Sequence, residues 1–166
     1  MTLDRLNLGC NQWVSPGWVN VDLRTYTDKP QLYADIRRPL PFQPNTFSRV
    51  YCGHILEHLT PEECRITLRH IAGVLRPAGR LGVVGPDIEL ATACYPEAIP
   101  DIMHGTGDGL PGEGHEWIPT RASTTALLTS CGWQVRNYLI TEMPDAWPIV
   151  SRIGWQFAME ARLNNS

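Results

Sequence analysis

"RLNLGCNQW", residues 5–13, is the stretch on which the reading of this chain turns. Leu6 and Leu8 give a strand-like run that stops at the turn Gly9-Cys10-Asn11. A second strand-like run, WVNVD at 18–22, follows almost at once, and Ser15-Pro16-Gly17 interrupts the interval between them. Too little chain is left there for a full crossover helix. A dinucleotide's pyrophosphate needs a glycine turn that runs into a helix N-terminus, where free N–H groups meet the charge. Neither that helix nor the third glycine of GxGxxG is present. The turn therefore reads against a dinucleotide and leaves open what it does hold.

Further β-like runs follow at 31–35 (QLYAD), 48–52 (SRVYC) and 80–85 (RLGVVG). Between the last two, Thr60-Pro61-Glu62-Glu63 predicts a helix start, with a threonine cap, proline in the first turn and glutamate closing a capping box. Cys64, Leu68, Ile71, Ala72 and Leu75 recur at helical spacing, and Arg76-Pro77-Ala78-Gly79 reads as the stop. Asp87 is placed as the cap of a shorter helix ending near Pro96. Residues 104–114, HGTGDGLPGEG, read as a mobile glycine-rich loop. A helix over 121–131 with Gly132 as its stop, a strand at 133–140 and a half-buried strand at 155–163 complete the pass. Strands alternating with helices or loops, closed by two strands, argue for an open α/β sheet.

The chain has 166 residues, a length that suits one domain, 1–166. Apolar residues make up 43% and charged ones 19%, as in an ordinary folded protein, and the net charge of −3 gives no field to attract duplex nucleic acid. Arg65, Arg69, Arg76 and Arg80 read as a solvated helix face. Neither a bilayer-spanning run nor a signal-peptide layout is seen, so no membrane is expected. Five cysteines, Cys10, Cys52, Cys64, Cys94 and Cys131, lack CxxC pairing and fit reduced thiols in a cytoplasmic protein. Among six tryptophans, Trp13 and Trp18 read as packing under the short loop, with Trp13 also placed to stack beside a ligand.

In an open α/β sheet, ligands gather beyond the carboxyl ends of the strands where strand order reverses. Those ends carry Gly9, Asp22, Asp35 and Gly53. Asp22 can accept from two ribose hydroxyls and Asp35 can meet an adenine amino group. Both could equally cap loops, as aspartates often do. A nucleoside that bears no phosphate is the adenosyl part of S-adenosylmethionine, whose amino-acid end could lie across the Gly9 turn.

On "LNLGCN", "GWVNVDL", "ADIRRPLPF", "FSRVYCGHILEHL", "LRHIAGVLRPAGRLGVVGPD" and "HEW", the chain resembles the compact class I S-adenosylmethionine-dependent methyltransferases of the type-11-like group. The resemblance covers residues 4–87 closely and 115–163 loosely. It implies a Rossmann-like, mostly parallel seven-stranded sheet with an antiparallel last strand. It also implies cofactor contacts at Gly9, Cys10, Asn11, Asp22, Leu23, Asp35, Ile36, Gly53 and His54. Asn11 stands where such sequences carry glycine; asparagine tolerates the left-handed backbone, and its side chain could either bind the cofactor's carboxylate or obstruct it. The chain starts at its first strand, so an open site, or one covered by a second copy or another chain, is expected.

The expected activity is methyl transfer to a small molecule, sugar or peptide group, with His54 and His115 as candidate bases and 104–114 as a lid. CGHI after the fourth strand is unlike the [DNS]-P-P-[YFW] signature of base-amine methylation, which demotes nucleic acid further. Two alternatives stay open: a catalytically silent S-adenosylmethionine-binding module, and a zinc hydrolase built on His54, Glu57 and His58, since HxxEH is also an inverted zinc-protease motif. Thr60-Pro61 leaves that segment about one turn, so no metal is expected.

Overall fold

The computed structural model describes residues 3–23, 32–104, 114–149 and 152–164. Its strands are β1 (Arg5–Leu8), β2 (Val19–Asp22), β3 (Leu32–Tyr33), β4 (Phe47–Gly53), β5 (Leu75–Pro86), β6 (Trp133–Leu139) and β7 (Gln156–Leu163). They form one sheet in the order β3-β2-β1-β4-β5-β7-β6. β1 to β5 pair in parallel, and β7 runs antiparallel to both β5 and β6. This is the open sheet with an antiparallel last strand expected from the sequence.

The β1–β2 connection holds no helix, as its length requires. Two buried asparagines hold it instead. Asn20 accepts from Asn7 Nδ2 at 3.0 Å and from Ser15 N at 2.9 Å, and donates to Trp18 O at 2.9 Å and Ser15 O at 3.1 Å. A buried amide needs partners, and here it finds them in the loop that replaces a crossover helix.

The helices α1 (Pro61–Val74), α2 (Ile88–Cys94), α3 (Ile99–His104) and α4 (Arg121–Ser130) all follow β4. α1 begins with the capping box read from the sequence: Thr60 accepts from Glu63 N, and Glu63 accepts from Thr60 N at 2.9 Å. Thr60→Ala is expected to lower stability by about 1 kcal/mol, read as a shift in the chemical-denaturation midpoint at unchanged slope. Cys64, Leu68 and Ile71 of α1 and Leu127 and Leu128 of α4 pack with Leu6, Leu8, Val50, Cys52, Leu81 and Val83 in one core against one sheet face.

The other face is roofed differently. Segment 140–149 brings Ile140, Met143 and Trp147 over Tyr51, Val84 and Ala158. A Cβ on Gly82 would stand 2.6 Å from the Trp147 ring, so this glycine makes room for the indole. Arg152 staples the segment, donating to Ile140 O at 2.6 Å, Met143 O at 2.8 Å and Asp145 at 2.9 Å.

Several sequence expectations need correction. α1 ends at Val74, and Arg76 and Arg80 lie on β5, where Arg76 meets Asp4 at 3.4 Å and Arg80 pairs with Glu160; only Arg65 and Arg69 belong to a helix. β3 is shorter than 31–35. β7 is buried on both faces from Gln156 to Met159, because β5 and β6 flank it and both core clusters cover it. Beyond α2, a 3-10 turn at Pro96–Ala98 continues into α3, which packs Ile102 against Ala91 and Ala98. Asp87 does stand at the N-cap of α2 as expected, but without a side-chain capping bond; its Oδ2 lies 3.8 Å from Arg121. Of the predicted loop, 105–113 lie outside the described residues.

Candidate functional site

Strand order reverses between β1 and β4, and the turn at Gly9 stands at that point. Gly9 has φ +65°, and Asn11 takes the left-handed conformation too, at φ 46°. Gly9 is required twice over, since a Cβ would stand 2.6 Å from Ile55 Cδ1. The N–H groups of Gly9 and Cys10 donate to Val21 O at 2.9 and 3.2 Å. Asn11 N donates to Asp22 Oδ2 at 2.8 Å, so the β2-tip carboxylate and the turn are joined directly. The Asn11 side-chain oxygen accepts from Gln12 N. With its first two N–H groups turned to the sheet and no helix behind it, the turn offers no phosphate cradle.

Around it, Cys10 is buried, and burial followed by the Asp22 charge pushes its thiol up to about 11, so it stays protonated. Leu23 and Trp13 are exposed beside the turn, Trp13 by 55%. Asp22 O accepts from Ala34 N at 3.0 Å, which leads the chain to Asp35. The Asp35 carboxylate takes two bonds of 2.9 Å from the Arg37 guanidinium, which hold its pKa below the usual carboxylate value. Ile36 faces the core, and its carbonyl accepts from the buried Thr67 Oγ1 at 3.3 Å.

β4 delivers Gly53 and His54 to the same edge, next to β1. His54 sits at φ 52°, outside helical geometry, and is followed by a 3-10 turn at Leu56–His58. Its Nδ1 lies 3.1 Å from Glu57 Oε1 and its Nε2 lies 2.7 Å from Gln156 Nε2. An imidazole that donates through Nδ1 and accepts at Nε2 satisfies both contacts. Glu57 is 2% exposed. Burial alone would raise its pKa, but the hydrogen bond from His54 and its own backbone N–H outweigh that and hold it low.

The 3-10 turn also overturns the inverted-zincin geometry, because His54 and His58 do not share a helix face. His115 joins His58 instead, the rings 4.9 Å apart. Residues 114–117 are docked on the turn: Glu116 N donates to Glu57 O at 2.8 Å and Trp117 Nε1 to Leu56 O at 2.9 Å. His115 Nδ1 donates to Ile102 O at 2.6 Å, and burial foremost holds its pKa below the ordinary imidazole value. The two motifs HILEHL and HEW, remote in sequence, thus meet. Sequence reasoning missed Asn7, Asn20, Gln156 and Ile55, which hold the site; asparagines centred in apolar strands were the available signal.

Residues 14–83, less than half of the chain, match a family described as "Methyltransferase domain". No curated protein matches the sequence. Among solved structures, the CurJ carbon methyltransferase superposes with a TM-score of 0.60 at 15% identity, covering 95% of this chain and 47% of that one. The chain therefore spans about half the length of that relative. DhpI in complex with SAH aligns at TM-score 0.65 and 14% identity, over 98% of this chain and 78% of that one. An S-adenosylmethionine-dependent methyltransferase from Clostridium acetobutylicum aligns at TM-score 0.65 and 11% identity, over 98% and 84%. At such identities the likeness is one of fold.

Proposed function

We propose that this chain, a methyltransferase by its fold and by the family match over 14–83, transfers a methyl group from S-adenosylmethionine to a small-molecule, sugar or peptide acceptor. The observation that carries this reading is the tie between Asn11 N and Asp22 Oδ2, which sets a phosphate-free turn and a carboxylate side by side. The donor supplies an activated methyl on a sulfonium, so no covalent protein nucleophile is required. Asp22 is placed to hold the ribose hydroxyls, and the Gly9–Asn11 turn to carry the amino-acid end. Asp35, oriented by Arg37, is placed for the adenine amino group, with Leu23 and Ile36 N–H alongside. Gly53 lets the chain pass close to the reactive end, where a Cβ would meet Tyr51.

Of the two candidate bases, His54 has both ring nitrogens engaged, and it serves here as a positioning group. His115 keeps Nε2 outside its bond to Ile102 and is placed to accept a proton from an acceptor hydroxyl or amine. All five cysteines are free thiols and three are buried, which supports a reducing, cytoplasmic setting. Among the described residues no helix is long and apolar enough to cross a membrane. The exposed Trp13 beside the turn suits cover by a second copy or a partner chain.

Calorimetric titration with S-adenosylhomocysteine, then NAD, tests the assignment; binding of NAD alone overturns it. Asp22→Ala is expected to weaken S-adenosylhomocysteine binding by about 1–3 kcal/mol, the scale of lost charge-assisted hydrogen bonds. An unchanged titration curve removes Asp22 from the site. Binding without transfer to any member of an acceptor panel favours the silent-module reading.

A further inference from the structure

We propose that Glu57, His58 and His115 form a binding site for a divalent transition-metal ion of the zinc and cobalt type. One ligating atom from each of the three lies within 4.8 Å of the others. Two imidazoles and one carboxylate are a donor set that borderline divalent metals prefer, and three protein ligands leave positions open for water or an acceptor oxygen. This trio is not the one considered from the sequence, where His58 pairs with His54 and His115 stands on a distant loop.

The surroundings carry the inference further than the cluster alone. A metal-ligating histidine ordinarily gives its other ring N–H to a carbonyl or carboxylate, which fixes the tautomer and aims the lone pair. Both rings do so here. His58 Nδ1 lies 3.2 Å from Gly114 O, and His115 Nδ1 lies 2.6 Å from Ile102 O. Each ring is thereby left with Nε2 as its coordinating nitrogen. The carboxylate has the matching support, since Glu57 is buried and one of its oxygens accepts from His54, itself fixed by Gln156. Each of the three ligands is thus oriented by a partner outside the cluster, which incidental surface histidines lack.

Bonds of about 2.0–2.1 Å place tetrahedral ligand atoms about 3.4 Å apart. Closing from 4.8 Å needs movement of little more than 1 Å, and His58 and His115 lie on a short turn and the stretch docked against it. Glu57 acts here as a ligand and not as a hydrolytic base, which separates this site from the zinc-protease reading. The inference concerns the ion alone and is tested by ion binding; with the ion bound, His115 Nε2 is a ligand and no longer the proton acceptor of the methyl-transfer reading.

The test uses the full chain, stripped with a chelator and titrated with Co2+ while the visible d–d bands are followed, with Zn2+ calorimetry in parallel. One equivalent is expected, with bands of four- or five-coordinate cobalt that Zn2+ displaces. His58→Gln and His115→Gln, checked for folding by circular dichroism, are each expected to weaken binding at least about tenfold. His70→Ala, on α1 and outside the cluster, is expected to leave it unchanged. Absence of the bands in the wild-type protein overturns the site, and so does their survival in both glutamine variants.

Discussion

His54→Ala is expected to lower the free energy of unfolding by about 1–3 kcal/mol, the cost of leaving a buried carboxylate without its hydrogen-bond donor. The expectation rests on the asymmetry of the pair: the His54 side chain is 39% exposed, whereas that of Glu57 is 2% exposed. Loss of the imidazole strands the carboxylate, not the reverse. The pH dependence should change sign with it. In the wild-type protein the Glu57 pKa is lowered on folding, so its contribution is present above the ordinary glutamate value and is lost as pH falls through the folded value. Without His54, burial dominates and raises the folded pKa above the ordinary value. The native variant then binds more protons than the unfolded chain, and its stability falls as pH rises through that window. Urea unfolding at neutral and mildly acidic pH should show the deficit narrowing in acid. A deficit that is constant across this range would show that Glu57 does not depend on His54.

Gly9→Val should cost about 2–5 kcal/mol of stability and reduce S-adenosylhomocysteine binding at least about tenfold. Two separable effects contribute. A β-branched residue at φ +65° is strained by about 1–2 kcal/mol, and the new side chain enters space held by Ile55, an overpacking of about 1–3 kcal/mol. Displacement of the turn also removes the alignment of Asn11 N on Asp22, and the binding loss follows from that. Gly9→Ala combined with Ile55→Ala relieves the contact but not the backbone, so it divides the two contributions. If Gly9→Val binds the ligand with wild-type affinity in calorimetry, the turn is not part of the site.

Much of this architecture was legible because it obeys single-face periodicity or local capping. The Thr60–Glu63 box, the apolar stripe of α1 and the Gly132 stop were read directly from residue type and spacing. The missing helix after β1 followed from chain length alone. β7 was misjudged because period-two reading assigns a strand one wet face, and only the sheet order shows that β5 and β6 enclose it. Segment 140–149 has no periodicity, yet it supplies the roof over Gly82. In the candidate site, Gly9, Asp22, Asp35 and Gly53 could be chosen because each stands at or just past the end of a strand-like run. The contact of His115 with His58 could not, since no local rule links a turn after β4 to a stretch before α4.

The position of β7 has a consequence for how the molecule is made. β6 leaves the ribosome before β7, its only strand neighbour among the described residues, exists, and the edge of β5 that pairs with β7 has no partner until the same moment. Assembly of this part of the sheet must therefore wait for β7, and it depends on non-local pairings that form slowly. A nascent chain stalled before Gln156 would present an apolar, unpaired strand edge, the kind of surface that chaperones hold and that aggregates capture.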